Sequence, residues 1–217
     1  MSDITRSKAE IKVVGLGGSL AEHSASLAAL EIALKGAEAA GAQVELFDVR
    51  SLNLPLYDPD AGKAPEAARR LAESVASARG MLWSSPMYHG TVSGAFKNAL
   101  DWFQLLSDRQ PPFLTNKVIG LISVAGGVYG LQAVNTMEFV ARALRGWSVP
   151  LVIPIPRAWQ VFDREGKARD EGIERQLRSL GAEVWRAARQ FALEGVCDYA
   201  EGKAAPQQDQ SKSGTIT

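Results

Sequence analysis

The chain predicts a doubly wound α/β fold, a five-stranded parallel sheet covered by helices on both faces. Two observations carry that expectation. Short, mostly apolar runs alternate five times with longer segments whose apolar residues recur at helical spacing. The runs are also as apolar as strands covered on both sides should be. Right-handed crossovers between such strands distribute the helices over both faces. Ligands in sheets of this kind sit beyond the carboxyl ends of the strands.

Taken in order, the first strand spans 11–16 and breaks at Gly17-Gly18-Ser19. A helix over 24–40 follows, with Leu27, Leu30, Ile32, Leu34 and Ala37 on one stripe. The second strand, 43–48, leads to a helix over 65–78, and the third strand is 80–84. The helix over 94–106 starts with small residues. Phe96 and Trp102 form its packing face, and Lys97 and Asp101 stand four apart, where they can pair. Strands at 118–124 and 149–153 flank a helix over 131–144. The last helix, 172–193, carries Leu177, Leu180, Val184, Ala188 and Phe191 at helical spacing.

The 217 residues fit one domain, assigned to 11–195. Residues 1–10 are polar and expected to be flexible; 196–217 are expected to form a disordered tail. A hydrophobic fraction of 46% and a charged fraction of 22% are those of an ordinary globular protein. The 24 basic and 24 acidic residues cancel. This balance argues against a broad nucleic-acid or anionic-membrane surface and sets little repulsion against self-association. The single cysteine, Cys197, precludes an internal disulfide and lies where a catalytic thiol is not expected. With only His23 and His89 beside it, no soft-metal spacing exists, so no metal is expected. With neither a signal-like apolar segment nor a long uncharged one, the expected location is cytoplasmic.

Three loops at strand ends stand out. The first, 17–26, combines Gly17 and Gly18 with Ser19, Ser24 and Ser26. It has two readings: a cup of backbone N–H groups and hydroxyls for a phosphate, or a glycine turn with capping serines. Its glycines do not match the dinucleotide fingerprint, and no Walker lysine follows. The second, 84–91, reads Ser84-Ser85-Pro86-Met87-Tyr88-His89-Gly90-Thr91, and offers either surfaces for a planar ligand or an ordinary turn. The third carries Gly126 and Gly127, placed either for close approach to a ligand or for a tight turn.

Together these residues resemble the NAD(P)H-dependent FMN reductase family of flavodoxin-like proteins, over most of the stretch from Ile11 to Phe191. The shared signatures are Gly18-Ser19 with Ser24 and Ser26, the block from Ser85 to Gly90 followed by Ser93-Gly94 and Lys97-Asn98-Ala99-Leu100-Asp101-Trp102, and Gly126-Gly127. The resemblance implies strand order 2-1-3-4-5. It implies an FMN phosphate at Ser19, Ser24 and Ser26, a ribityl chain and ring along Pro86, Met87, Tyr88, His89 and Gly90, and the pyrimidine side of the ring at Gly126 and Gly127. It implies NADPH or NADH as co-substrate, small-molecule substrates, and a homodimer or homotetramer. Similar proteins supply reduced flavin to flavin-dependent monooxygenases, and others reduce quinones, azo dyes, chromate or organoarsenicals. Many members have an arginine where this chain has Ala21, followed by Glu22, and the choice between NADPH and NADH stays open. His23 fits either a partial replacement for that charge or an exposed surface residue.

The expected chemistry is hydride transfer from nicotinamide to flavin N5, which requires alignment at about 3–3.5 Å rather than a catalytic acid or base. No catalytic residue is therefore assigned. Trp159, Phe162 and Asp163, in the long segment 154–169, fit either a wall of the acceptor pocket or a subunit contact. The alternatives are a quinone, azo or chromate reductase with bound FMN, and a non-enzymatic flavodoxin-like electron carrier. The balanced charge lacks the acidic face such a carrier uses.

Overall fold

The structure, a computed structural model, describes residues 10–193. Cys197, the tail over 196–217, and the N-terminal segment before Glu10 lie outside the described residues. In chain order the elements are β1 (Lys12–Gly17), α1 (Ala25–Ala40), β2 (Gln43–Asp48), α2 (Val49–Leu52), α3 (Glu66–Ser77), β3 (Gly80–Tyr88) and β4 (Thr91–Val92). There follow α4 (Gly94–Asp101), a 3₁₀ turn (Trp102–Leu106), β5 (Val118–Val124), α5 (Leu131–Ala143), β6 (Trp147–Ile155), α6 (Ala158–Val161) and α7 (Glu171–Leu193).

The five long strands are parallel, in the order β2-β1-β3-β5-β6, which is the expected 2-1-3-4-5 when they are counted alone. The addition is β4, two residues antiparallel to the end of β3. β3 itself runs four residues further than the expected strand, through Pro86 to Tyr88. Pro86 is tolerated because it occupies the last register pair with β5, opposite Val124, where the ladder ends. Tyr88 then pairs with Thr91, leaving His89 and Gly90 as a two-residue hairpin turn. Both have positive φ, 50° and 83°, as the primed turn that suits a twisted hairpin requires.

Alternate strand residues enter two cores. On one face Val13, Leu82, Ile122 and Ile153 pack under α1 and α7. On the other, Val14, Met81, Trp83 and Leu121 pack under α3, α4 and α5. Trp83 lies between Phe96 and Phe103, with ring centroids 6.0 and 6.4 Å away. The helix expected over 94–106 is α-helical only to Asp101 and tightens to 3₁₀ from Trp102. Phe96 and Trp102 are buried, and Lys97 pairs with Asp101 at 2.5 Å, as expected. None of the described helices is long and apolar enough to cross a membrane.

α1 and α7 touch backbone to backbone. A Cβ on Gly36 would lie 2.1 Å from the Arg178 carbonyl oxygen, and one on Gly181 would lie 1.9 Å from that of Ala33. Rigid backbone on both sides cannot yield locally, so an added methyl must push the helices apart. Gly181→Ala is therefore expected to lose about 2 kcal/mol of stability, since overpacking outweighs the gain in helix propensity. A urea denaturation series on the purified variant measures this, and an unchanged midpoint would refute the close crossing.

Candidate functional site

Register brings the three loops to one rim. Gly17 of β1 pairs with Ser84 of β3, and Pro86 of β3 pairs with Val124 of β5. The strands are parallel, so the segments that follow them leave at the same edge of the sheet.

In the first loop, Gly18 donates its N–H to the Ser84 carbonyl at 3.2 Å and has φ 93°, a turn open to glycine at no steric cost. Three hydroxyls then cluster. Ser19 Oγ donates to Ser24 Oγ at 3.1 Å, and Ser24 Oγ lies 3.0 Å from Ser26 Oγ. Ser24 is also the N-cap of α1, accepting the Leu27 N–H at 3.2 Å. The capping reading is thus correct for Ser24, and it coexists with the cluster. Ser19 and Ser26 are buried, and the Ser26 carbonyl accepts from Ser84 Oγ at 2.7 Å. The N–H groups of Ala25 and Ser26, in the first turn of α1, have no partner among the described residues. The cluster therefore combines hydroxyls, unpaired donors and the positive end of a helix dipole.

The second segment is strand and hairpin rather than loop. Pro86 is buried, Met87 half-buried, and Tyr88, His89 and Gly90 are exposed at the tip. The Met87 sulfur accepts the Gly90 N–H at 3.2 Å, tying the hairpin turn back onto its strand. Ser85 Oγ accepts the Ser93 N–H at 3.0 Å and so sets the start of α4. Thr91 and Thr136 share a hydroxyl contact of 3.2 Å, which joins the hairpin to α5.

In the third loop, Gly126 and Gly127 are exposed, neither has positive φ, and a Cβ on either would meet no atom within 4 Å. No tight turn and no internal packing requires glycine there, so the space above both is empty. Gly17 is the opposite case, because its Cβ would fall 2.2 Å from the Ser84 carbonyl oxygen.

Residues 11–160 match the family of NADPH-dependent FMN reductases. The chain belongs to that family. One relative, the NADPH-dependent FMN reductase ArsH of Acidithiobacillus ferrooxidans, is 33% identical over 129 residues, 59% of this chain and 53% of the relative. The chain thus spans about half the length of that protein. The NAD(P)H-dependent FMN reductase PA1204 of Pseudomonas aeruginosa is 31% identical over 187 residues, 81% of this chain and 95% of the relative. Among solved structures, a flavodoxin from the domain Archaea superposes with a TM-score of 0.58 at 10% identity, covering 82% of this chain and 99% of that one. The fold is flavodoxin-like.

This FMN reductase family member has two further features beside the rim, one that sequence reasoning missed and one that it foresaw only in part. The segment 53–64 is latched to α4. Asn98 accepts the Tyr57 N–H at 2.8 Å and donates to the Pro55 carbonyl at 2.9 Å, while the Trp102 indole donates to the same carbonyl at 3.1 Å. The latch leaves Leu56 exposed beside Leu20, around a hollow of about 260 Å³. The second feature is a cleft of about 830 Å³ between the start of α1 and the segment 158–169. Trp159, Phe162 and Asp163 all line it; Phe162 is otherwise buried, and Asp163 also holds a turn by accepting the Lys167 N–H at 2.7 Å. A polar residue on a helix face, like Asn98, gives no cue in the sequence that it will bridge 41 residues.

The two kinds of glycine at this rim differ in a measurable way. Gly17→Ala is expected to destabilise the fold by about 2 kcal/mol or more through overpacking against backbone. Gly127→Val is expected to change stability by no more than about 0.5 kcal/mol. Thermal melts of the two flavin-free variants check the contrast, and equal losses would refute it.

Proposed function

We propose that this chain is an NAD(P)H-dependent FMN oxidoreductase that moves reducing equivalents from a nicotinamide donor to free flavin or a small acceptor such as a quinone. The observation that carries this reading is the pair Gly126-Gly127, open to empty space at the rim where the serine cluster and the β3–β4 hairpin also meet. A flat ring needs such a side-chain-free edge, and a phosphate needs such a cluster. Bound FMN would supply the hydride-accepting ring.

The chain's own residues hold and orient. Ser19, Ser24 and Ser26, with the free N–H groups of Ala25 and Ser26, receive the phosphate. Pro86 and Met87 form the inner wall, and Tyr88, His89 and Gly90 the outer one, along the ribityl chain and ring. The N–H groups at Gly126 and Gly127 would lie near the pyrimidine edge of a bound flavin, where they would stabilise negative charge. No side chain acts as acid or base. The exposed tip at Tyr88, His89 and Gly90 and the open space at Gly126 and Gly127 would admit donor and acceptor in turn, with oxidised nicotinamide leaving before the acceptor enters.

A flavin-dependent monooxygenase is one consumer of the reduced flavin, in a cytoplasmic setting. The assembly is a homodimer or homotetramer, with the exposed Val128, Tyr129, Leu131 and Phe139 bordering the rim as apolar surface for a second copy. The electron-carrier alternative is not favoured, because the two relatives above are named as FMN reductases.

Two experiments test the reading. Binding titrations followed by flavin fluorescence should show the Ser19→Ala, Ser26→Ala double variant losing about tenfold or more in FMN affinity, at hydrogen bonds to a charged group, with little change for riboflavin. In the same titration Gly127→Val should bind neither flavin, and unchanged FMN affinity there would remove the third loop from the ring. Second, anaerobic mixing of FMN-loaded protein with NADH or NADPH should bleach the flavin band. Steady-state double-reciprocal plots with a quinone acceptor should then be parallel; intersecting lines would contradict entry of donor and acceptor in turn.

A further inference from the structure

The 830 Å³ cleft lies beside the proposed flavin site, with a volume in the range of small-molecule sites. Both its walls belong to that site. Ser24, whose hydroxyl is central to the serine cluster, lines one wall. The other begins at Ala158, whose N–H donates to the Ala125 carbonyl at 3.0 Å, just after Arg157, whose N–H donates to the Gly127 carbonyl at 3.2 Å. A molecule with one end on the ring can therefore rest its other end here. An acceptor would have to touch the ring itself, so an off-ring cleft suits the non-reacting end of the donor.

The lining gives that end its chemistry. Trp159 is 68% exposed and lines the cleft with Ala25 and Ala28, so that its indole face is accessible to a ligand. Such a face stacks an adenine. Arg164 and Arg169 are exposed guanidinium groups, suited to a pyrophosphate. Against them stand four carboxylates: Glu22, Glu31, Asp163 and Glu165. A carboxylate accepts from a ribose 2′-hydroxyl and repels a 2′-phosphate.

We propose that this cleft receives the adenosine end of the nicotinamide donor, and that its carboxylates favour the unphosphorylated ribose, so that NADH is used in preference to NADPH. The inference rests on the reductase reading for the other end of the donor, but its own site can be tested without flavin.

The experiment is calorimetric titration of the full-length, flavin-free protein with ADP-ribose and with 2′-phospho-ADP-ribose. ADP-ribose should bind about tenfold more tightly. Trp159→Ala, at an exposed position, should weaken ADP-ribose by about tenfold, the range of base stacking on an aromatic side chain. A Glu22→Gln, Glu165→Gln pair should narrow the gap between the two ligands to about threefold or less. With FMN loaded, the kcat/KM ratio of NADH to reduced nicotinamide mononucleotide, which lacks the adenosine end, should fall in Trp159→Ala. No ADP-ribose binding at millimolar concentration, unchanged binding in Trp159→Ala, or tighter binding of the 2′-phosphate would each overturn the proposal. If ADP-ribose behaves as expected and neither donor bleaches the flavin, the reductase reading falls and the cleft stands as an adenosine site.

Discussion

The rim depends on the contact between Gly17 and Ser84. β1 and β3 come together there so closely that a single methyl on Gly17 would collide with the Ser84 carbonyl oxygen, and the Gly18 N–H bonds that same oxygen. Ser84 then turns its hydroxyl to the Ser26 carbonyl, in the first turn of α1. One residue of the central strand thus sets both where β1 stops and where α1 starts. The serine cluster lies between those two points, so its geometry is imposed by sheet packing rather than by the loop's own preferences.

The same economy recurs on the far side of β3. Pairing of Pro86 with Val124 carries β3 past the end of the β1 ladder and out to the hairpin. β5 stops at that pair, and the chain lifts away into Gly126-Gly127, held by hydrogen bonds from Arg157 and Ala158. The rim is consequently stepped, with a short β1, a long β3 and an intermediate β5. A flat ligand laid on it meets backbone at the glycine pair and side chains at the hairpin.

Apolar runs and helical stripes made most elements legible in the sequence, because burial on both faces leaves a strong compositional trace. The end of β3 was not legible. Proline and glycine over 84–91 mark a turn in any single-sequence reading, and the positive φ of His89 leaves no trace in composition. The glycines could be located but not sorted. Gly17, Gly36 and Gly181 are required by backbone approach, whereas Gly126 and Gly127 are required by nothing in the described residues, and only coordinates separate these cases. The segment 154–169 could be singled out as a pocket wall, but the wall opposite it could not. Residues 22–31 meet it where a Cβ on Gly166 would lie 3.1 Å from that of Ala28, a long-range contact that no local pattern encodes.

The composition of the first loop also limits how the phosphate can contribute. Residues 17–26 contain no lysine or arginine, and Asp48 Oδ1 lies 2.7 Å from where a Cβ on Gly18 would be. A dianion there meets hydroxyls, N–H groups and a helix dipole, with a carboxylate near the Gly18 turn. Dipolar donors of this kind are worth about 1.5–3 kcal/mol each to a charged group when well aligned, and the helix end adds up to about 1 kcal/mol at an exposed site. Nothing in the loop adds the ionic attraction of a cation. A phosphate at this loop would therefore be held by directional hydrogen bonds, whose strength depends on the alignment that Ser84 imposes on the cluster.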